Sequence, residues 1–366
     1  MKKIRVLHLL NSDRFSGAEN VVCQIIGMFK DSPNIEMLYC SKDGQIREAL
    51  KERDVHFVPI NSLNRKEVKR VINEQKPDII HAHDMRASFV AACACGKKTL
   101  ISHVHNNNFD SRGLSLKSIA YFFAAKKAKH IFWVSQSSFD GYAFHKHFDK
   151  KSTILYNIID VDALYQKMNQ DVCSYDYDVT YLGRLTYQKN PQRLIQVFER
   201  VVQKLPSVKI CVVGTGELEE ETKELCKQLN LQNNVHFLGF QSNPLKILHD
   251  SKVMIMTSRW EGTPMCALEA MALGVPIVST PVDGLKDLVI NDKNGYLSND
   301  DEELASKIVE IITDLKIRMD YSVFSKTQSL EINNKEKYKN VILNCYLGQL
   351  KKNKKLAVRG KLRRNY

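Results

Sequence analysis

The chain has 366 residues, 43% of them hydrophobic, and carries 54 Lys plus Arg against 41 Asp plus Glu for a net charge of +13. That length exceeds one hydrophobic core, so two domains are expected, and no stretch approaches the ~20 apolar residues of a membrane span. The nine cysteines are odd in number and scattered through apolar segments, which fits reduced, buried thiols in a cytoplasmic protein rather than a disulfide framework. No nucleic-acid motif and no interleaving of aromatic and basic residues accompanies the positive charge, so no nucleic-acid partner is expected.

The start, MKKIRVLHLLNS, is basic and then apolar. Its apolar run is too short for a signal peptide and alternates, and no small-residue cleavage site follows, so it reads as a buried strand at 4–10. An amphipathic helix follows at 18–30. IEMLYC, HFVPI, DIIHAH, TLISHVH and HIFWVS then read as short strands, with helical segments IREALKERD and RKEVKRVINEQ among them. Strands rich in Val, Ile and Leu that alternate with helices predict a parallel sheet covered on both faces. Residues 112–129, RGLSLKSIAYFFAAKKAK, read either as a buried helix before the next strand or as a basic amphipathic helix lying on anionic lipid.

A polar linker at about 162–176 precedes a second βα series. Its strands are YDVTYLGR, VKICVVG, VHFLGF, VMIMTS, PIVST and GYLS. The expected helices are PQRLIQVFERVVQKL, LEEETKELCKQLN, PLKILHD and the one carrying Glu269. The expected division is therefore 1–165 and 166–332. A last helix at 333–350 either packs on the second domain or crosses back to the first. The tail 351–366 holds eight basic groups and no acidic one, and is expected to be disordered and solvated or to touch anionic lipid.

SRWEGTPMCALEAMALGVPIVS, residues 258–279, sets Glu261 at a loop mouth and Glu269 eight positions on, inside a helix. Thr263 is the expected N-cap and Pro264 the first helical residue, with Gly274 and Pro276 closing the segment. Free N–H groups at such a helix start seat phosphate, and the carboxylates suit sugar hydroxyls. In YLGRLTYQKN, Arg184 ends a strand and Lys189 precedes a helix opened by Pro191. Two cations there can neutralise a diphosphate. In NSDRFSGAEN, Gly17 permits close backbone approach at a helix start. This is not the G-x-G-x-x-G fingerprint of a dinucleotide enzyme. His81 and His83 end one strand, and His103 and His105 another. They are either structural or at the substrate edge. For zinc, a third and fourth ligand are not evident, and Cys93 and Cys95 have no matching second pair, so no metal site is expected.

Taken together, E-G-x-P…L-E-A-M-A-x-G-x-P-[IV]-V resembles the E-x7-E signature of retaining glycosyltransferases of family 4. The resemblance implies an α/β GT-B fold, with two Rossmann-like βαβ domains facing across a cleft. It extends from residue 4 to about 300. By this resemblance Arg184 and Lys189 match the cations of G-R-x5-K and bind the donor diphosphate. Glu261, Gly262, Thr263, Pro264, Leu268 and Glu269 line the donor site, with Glu269 on ribose and Glu261 on the sugar. NSDRFSGAEN is similar to the family's Gly-Gly-Ala-Glu loop, with Ser16 in place of the first glycine. Gly214 and Gly216 in GTGELEEE match nucleotide-facing turns. YNIID (156–160) matches an Asn-Gly-hydrophobic-Asp stretch, with Ile158 where Gly is common. HVHN resembles the His-Ser-His-Asn motif of capsule and exopolysaccharide transferases. That resemblance implies that His105, or alternatively His103, approaches the donor sugar; His83 and His103 are candidates for the acceptor side.

The function implied is transfer of a sugar from a nucleoside-diphosphate sugar, UDP-linked by expectation, to a glycan or a polyprenyl-diphosphate-linked acceptor in cell-surface polysaccharide synthesis. Configuration is retained, no metal or other cofactor is required, and the protein is cytoplasmic with peripheral contact at the inner membrane face through its basic tail. Two alternatives stay open: a nucleotide-sugar epimerase on the same fold, and a nucleotide-sugar-binding protein without transfer activity.

Overall fold

The computed structural model describes residues 3–105 and 113–362, with side chains described as far as residue 350. The chain divides into two compact units. The first comprises Met1–Asn157 and Asn334–Tyr366, the second Ile158–Asn333.

In the first unit, strands and helices alternate as β1 (Ile4–Leu9), α1 (Gly17–Met28), β2 (Ile35–Lys42), α2 (Ile46–Glu52), β3 (Phe57–Ile60) and α3 (Arg65–Gln75). They continue as β4 (Ile79–His83), α4 (Asp84–Ala94), β5 (Thr99–Val104), α5 (Leu116–Lys127), β6 (His130–Trp133), α6 (Gln136–Asp140) and, after a 3-10 helix at His145–Lys151, β7 (Ser152–Ile154). The seven strands form one parallel sheet in the order β3-β2-β1-β4-β5-β6-β7. Its strands are short Val/Ile/Leu runs because helices bury both faces; Leu7, Leu38, Ile80, Leu100 and Ile131 are wholly buried in one core.

The second unit opens with α7 (Val161–Met168), β8 (Val179–Leu182), α8 (Pro191–Lys204), β9 (Ile210–Val213), α9 (Glu219–Gln228) and β10 (Val235–Gly239). Then come α10 (Leu245–Asp250), β11 (Val253–Met256), α11 (Met265–Leu273), β12 (Ile277–Ser279), α12 (Leu285–Leu288), β13 (Gly295–Leu297), α13 (Asp301–Thr313) and α14 (Leu315–Ile332). Its six parallel strands run β10-β9-β8-β11-β12-β13. The period of two is visible in the cores. Val253 and Ile255 pack under α8 and α13, whereas Met254 and Met256 pack under α10 and α11.

The chain then returns to the first unit as α15 (Lys335–Leu362). Its Tyr338, Ile342 and Tyr346 are buried; the Tyr346 ring lies tilted 6.4 Å from Phe29, which follows α1, and its hydroxyl bonds His81 of β4.

Three local expectations change. The division falls at Asn157/Ile158 rather than 165/166, because α7, lying in the supposed linker, buries Leu164 and Met168 in the core beneath α10 and α11. Asp160 caps α7 by accepting from Ala163 N at 3.0 Å. The backbone of α15 runs through Leu362, so most of the basic segment expected to be disordered continues a helix, as its Lys, Leu, Ala and Arg content favours.

Candidate functional site

In an open parallel sheet, ligands bind at the carboxyl ends of the strands where the strand order reverses. In the second unit that point lies between β8 and β11, which pair directly. The β8–α8 loop carries Arg184 and Lys189, and the β11–α11 loop carries Glu261. Lys189 and Glu261, both picked out in the sequence, thus meet at the switch point.

Lys189 Nζ donates to Glu261 Oε1 at 2.6 Å, and both side chains are largely buried. Ser258 Oγ donates to the same oxygen at 2.5 Å, and Glu261 N donates to Asp283 Oδ2 at 2.7 Å. Burial opposes the Lys189 charge, but the Glu261 carboxylate outweighs it and raises the ammonium's pKa. Backbone bonds lock the two loops together: Arg259 N to Gln188 O at 2.8 Å, and Gln188 Nε2 to Trp260 O at 2.9 Å. Arg184 stands exposed on the same loop, and its backbone carbonyl accepts from Tyr181 Oη at 2.9 Å.

The helix start differs from expectation by one residue. Pro264, at φ −70° and ψ 125°, is itself the N-cap, and α11 begins at Met265, because the Pro264 carbonyl takes the first helical N–H bonds from Ala267 and Leu268. Thr263 is buried in the approach loop instead. Pro264 carries no side-chain acceptor, so α11 starts without a cap from its own N-cap residue. Leu268 is a core residue of α11. Glu269, one turn in, makes no hydrogen bond among the described residues. Burial pushes its carboxyl up to about 7, only partly offset by Lys167.

Glycines let the loops close up. Gly214 sits at φ 131° and Gly216 beside it; a Cβ at either would collide with the carbonyl of Gly183 or Leu185 on the β8–α8 loop. Gly284 likewise abuts the Gly262 carbonyl. Sequence reasoning missed Ser258, Asp283 and Gly284. Their signal, a polar loop with an Asp-Gly pair after β12, is too common to single out.

In the first unit the histidines converge. Strand register places His8 beside His81 and His83 beside His103, and alternation puts all of them with His105 on one face. His8 Nδ1 and His83 Nε2 lie 3.0 Å apart, His83 Nδ1 and His105 Nε2 2.8 Å, and His81 Nδ1 lies 2.8 Å from Tyr346 Oη. All five rings are at most 5% exposed, and burial holds His8 and His105 down to about 3 and the other three well below the usual value. The third imidazole that spacing alone did not provide comes from β1, and two triplets, His8/His81/His83 and His83/His103/His105, bring ring nitrogens within 4.8 Å of one another. Within the triplets the rings are stacked or tilted, with planes 22–35° apart in the first and 27–35° in the second. Hydrogen bonds link His8, His83 and His105, whereas neither ring nitrogen of His103 has a partner among the described residues.

Asp84, at φ 65°, accepts from His105 N at 2.8 Å and so fixes the end of the stack. Gly17 is the exposed first residue of α1. Its N-cap Ser16 turns its hydroxyl to Glu19 Oε2 at 2.5 Å, leaving the helix start without a side-chain cap. Residues 106–112, including most of the Asn run after His105, lie outside the described residues.

The family model Glycosyltransferase Family 4 matches residues 16–163, and Glycosyl transferases group 1 matches 173–328. An uncharacterized glycosyltransferase of Methanocaldococcus jannaschii is 34% identical over 252 residues, which is 63% of this chain and 62% of that protein. The Escherichia coli UDP-Gal:alpha-D-GlcNAc-diphosphoundecaprenol alpha-1,3-galactosyltransferase is 24% identical over 85% of this chain and 89% of its own length. Among solved structures, Anabaena HepE in complex with UDP-glucose superposes with a TM-score of 0.83 at 22% identity, over 94% of this chain and all of that one. The two parallel sheets have the GT-B fold, and a segment matching Glycosyltransferase Family 4 followed by one matching Glycosyl transferases group 1 makes the chain a GT-B glycosyltransferase.

Proposed function

We propose that the chain transfers a sugar from a UDP-sugar to a glycan or polyprenyl-diphosphate-linked acceptor in cell-surface polysaccharide synthesis, with retention of configuration. The observation that carries this reading is the Lys189–Glu261 pair at the β8/β11 switch point, beside Arg184 and the uncapped start of α11. An ammonium has three donors. One holds Glu261 in place and two remain for diphosphate oxygens. Arg184 and the α11 amides complete the charge for the leaving group, so the proposed reaction calls on no bound metal. Glu269 takes the ribose hydroxyls and Glu261 the hydroxyls of the transferred sugar. Gly17 opens a helix start that accepts phosphate, His105 orders the sugar, and His83 and His103 serve the acceptor side. The bond from the anomeric carbon to the diphosphate breaks on the face where the acceptor oxygen attaches, and the acceptor proton passes to the leaving phosphate oxygen.

The E. coli relative acts on a diphosphoundecaprenol-linked sugar, and a Campylobacter jejuni relative, 32% identical over 49% of this chain, is a transferase for another such carrier. Those names support a lipid-linked acceptor, and we place the reaction on the cytoplasmic side of the membrane that carries it. The test is to incubate the protein with UDP-glucose, UDP-galactose or their N-acetyl forms and GlcNAc-diphosphoundecaprenol, then determine the product linkage by NMR. An α-linked disaccharide from an α-donor is expected. A β-linked product would overturn retention, and an epimerised sugar nucleotide formed without acceptor would replace transfer by epimerisation.

A further inference from the structure

The helix α5 turns apolar side chains outward. Leu116 is 87% exposed, Phe123 62% and Ile119 42%, and Leu114 just before the helix is 81% exposed. Positions 116, 119 and 123 share the i, i+3, i+7 spacing of one helical face. The opposite face, Ser118, Tyr121, Ala124 and Ala125, packs on the unit. Tyr121 Oη bonds Ser102 Oγ at 2.8 Å, and the Ser118 carbonyl accepts from Tyr142 Oη at 3.0 Å. Leu116, Ile119 and Phe123 face water, therefore, while Tyr121 and Phe122 pack inward with the small residues.

Both ends of the helix are fixed. Ser115 caps its start, accepting from Ser118 N at 3.0 Å. At its end Lys151 Nζ donates to the carbonyls of Ala125 at 2.6 Å and Ala128 at 2.7 Å. Lys151 thus satisfies the C-terminal carbonyls, leaving the exposed Lys126 and Lys127 side chains clear of that task. Lys127 continues the line of Leu116 and Phe123 by one turn, and Lys126 flanks it. No acidic residue lies anywhere on α5.

An apolar stripe on a helix that carries cations and no acidic residue complements a surface that is apolar within and anionic at its rim. A protein partner would be met with charges of both signs. We propose that α5 docks the first unit on anionic lipid bilayer: Leu116, Ile119 and Phe123 enter the interface, and Lys126 and Lys127 reach lipid phosphates, their stems lying along the apolar surface. No helix among the described residues is long and apolar enough to cross a membrane, so such contact is made by lying on the surface. The proposal rests on this surface and not on the donor chemistry, and it assigns the apolar contact to α5 rather than to the basic segment 351–366.

The experiment uses the full chain with vesicles of phosphatidylcholine alone or with equimolar phosphatidylglycerol. The F123W variant should show a blue-shifted emission quenched by acyl-chain-brominated lipid in the anionic vesicles only. Paired K126Q and K127Q substitutions should weaken partitioning about thirtyfold. L116E with F123E should abolish it while thermal unfolding and far-UV dichroism stay unchanged, since both side chains are exposed. Binding that survives L116E/F123E and is lost only on deleting 351–366 would overturn the proposal. So would an absence of quenching in a chain that self-associates in solution and is made monomeric by F123E, which would assign the face to a second copy.

Discussion

Lys189 and Glu261 are 72 residues apart in sequence and 2.6 Å apart in space. Removing one member of a buried pair leaves the other charge uncompensated, so Lys189→Met should cost about 3 kcal/mol in urea unfolding. A loss close to zero would mean that water already reaches Glu261. Glu269 sets a second, pH-dependent expectation. Its folded carboxyl titrates near 7 because burial penalises the charge, while ribose hydroxyls would bond the carboxylate form. UDP affinity should therefore be level above pH 7 and fall about tenfold per pH unit below it. Calorimetry across pH 5.5 to 8 checks this, and Glu269→Gln should flatten the profile. At this scale the sequence was informative about residue types: two cations after one strand and two carboxylates around one helix start are visible in spacing. It was silent about pairing, because the Lys189–Glu261 contact depends on β8 lying next to β11.

Loops close in on one another here only where side chains are absent. Gly214→Ala would drive a Cβ into the Gly183 carbonyl at a φ that L residues rarely adopt. We expect a loss of about 2 kcal/mol in stability, with displacement of the loop that carries Arg184 and weaker nucleotide binding. Unchanged stability and binding would remove this glycine from the account. The strands were legible as short Val/Ile/Leu runs, and α8 as a strongly amphipathic helix opened by Pro191. α4 was not, because DMRASFVAACA has small residues on every side and no period. α7 hid inside a polar stretch whose only start signal is Asp160, and β7 is three residues long. For α5 the sequence left two readings open. The structure combines them, with one face packed inward and a second apolar face outward.

For the whole molecule, five buried imidazoles make stability depend on pH. In the folded chain their pKa values are held down by burial, His8 and His105 to about 3, whereas in the unfolded chain they return to about 6.5. Below pH 6.5 the unfolded chain takes up protons that the folded chain does not. The stability is thus complete above that pH and drains as pH falls from 6.5 toward 3, by at most about 1.4 kcal/mol per histidine per pH unit. Urea titrations at pH 7, 6 and 5 should show a progressive loss, and equal stability at pH 7 and 5 would contradict the buried neutral stack. The histidine pairs were visible in sequence, but His8 joined them only through the register of β1 with β4. The account's central claim is that the β8/β11 switch point holds a nucleoside diphosphate. It is tested most directly by thermal stabilisation of the wild type, Arg184→Ala and Glu269→Ala with UDP, GDP, ADP and dTDP and their sugars. The account predicts a shift with the UDP series that both substitutions abolish. No shift with any nucleotide in well-folded protein, or a shift that survives both substitutions, would contradict it.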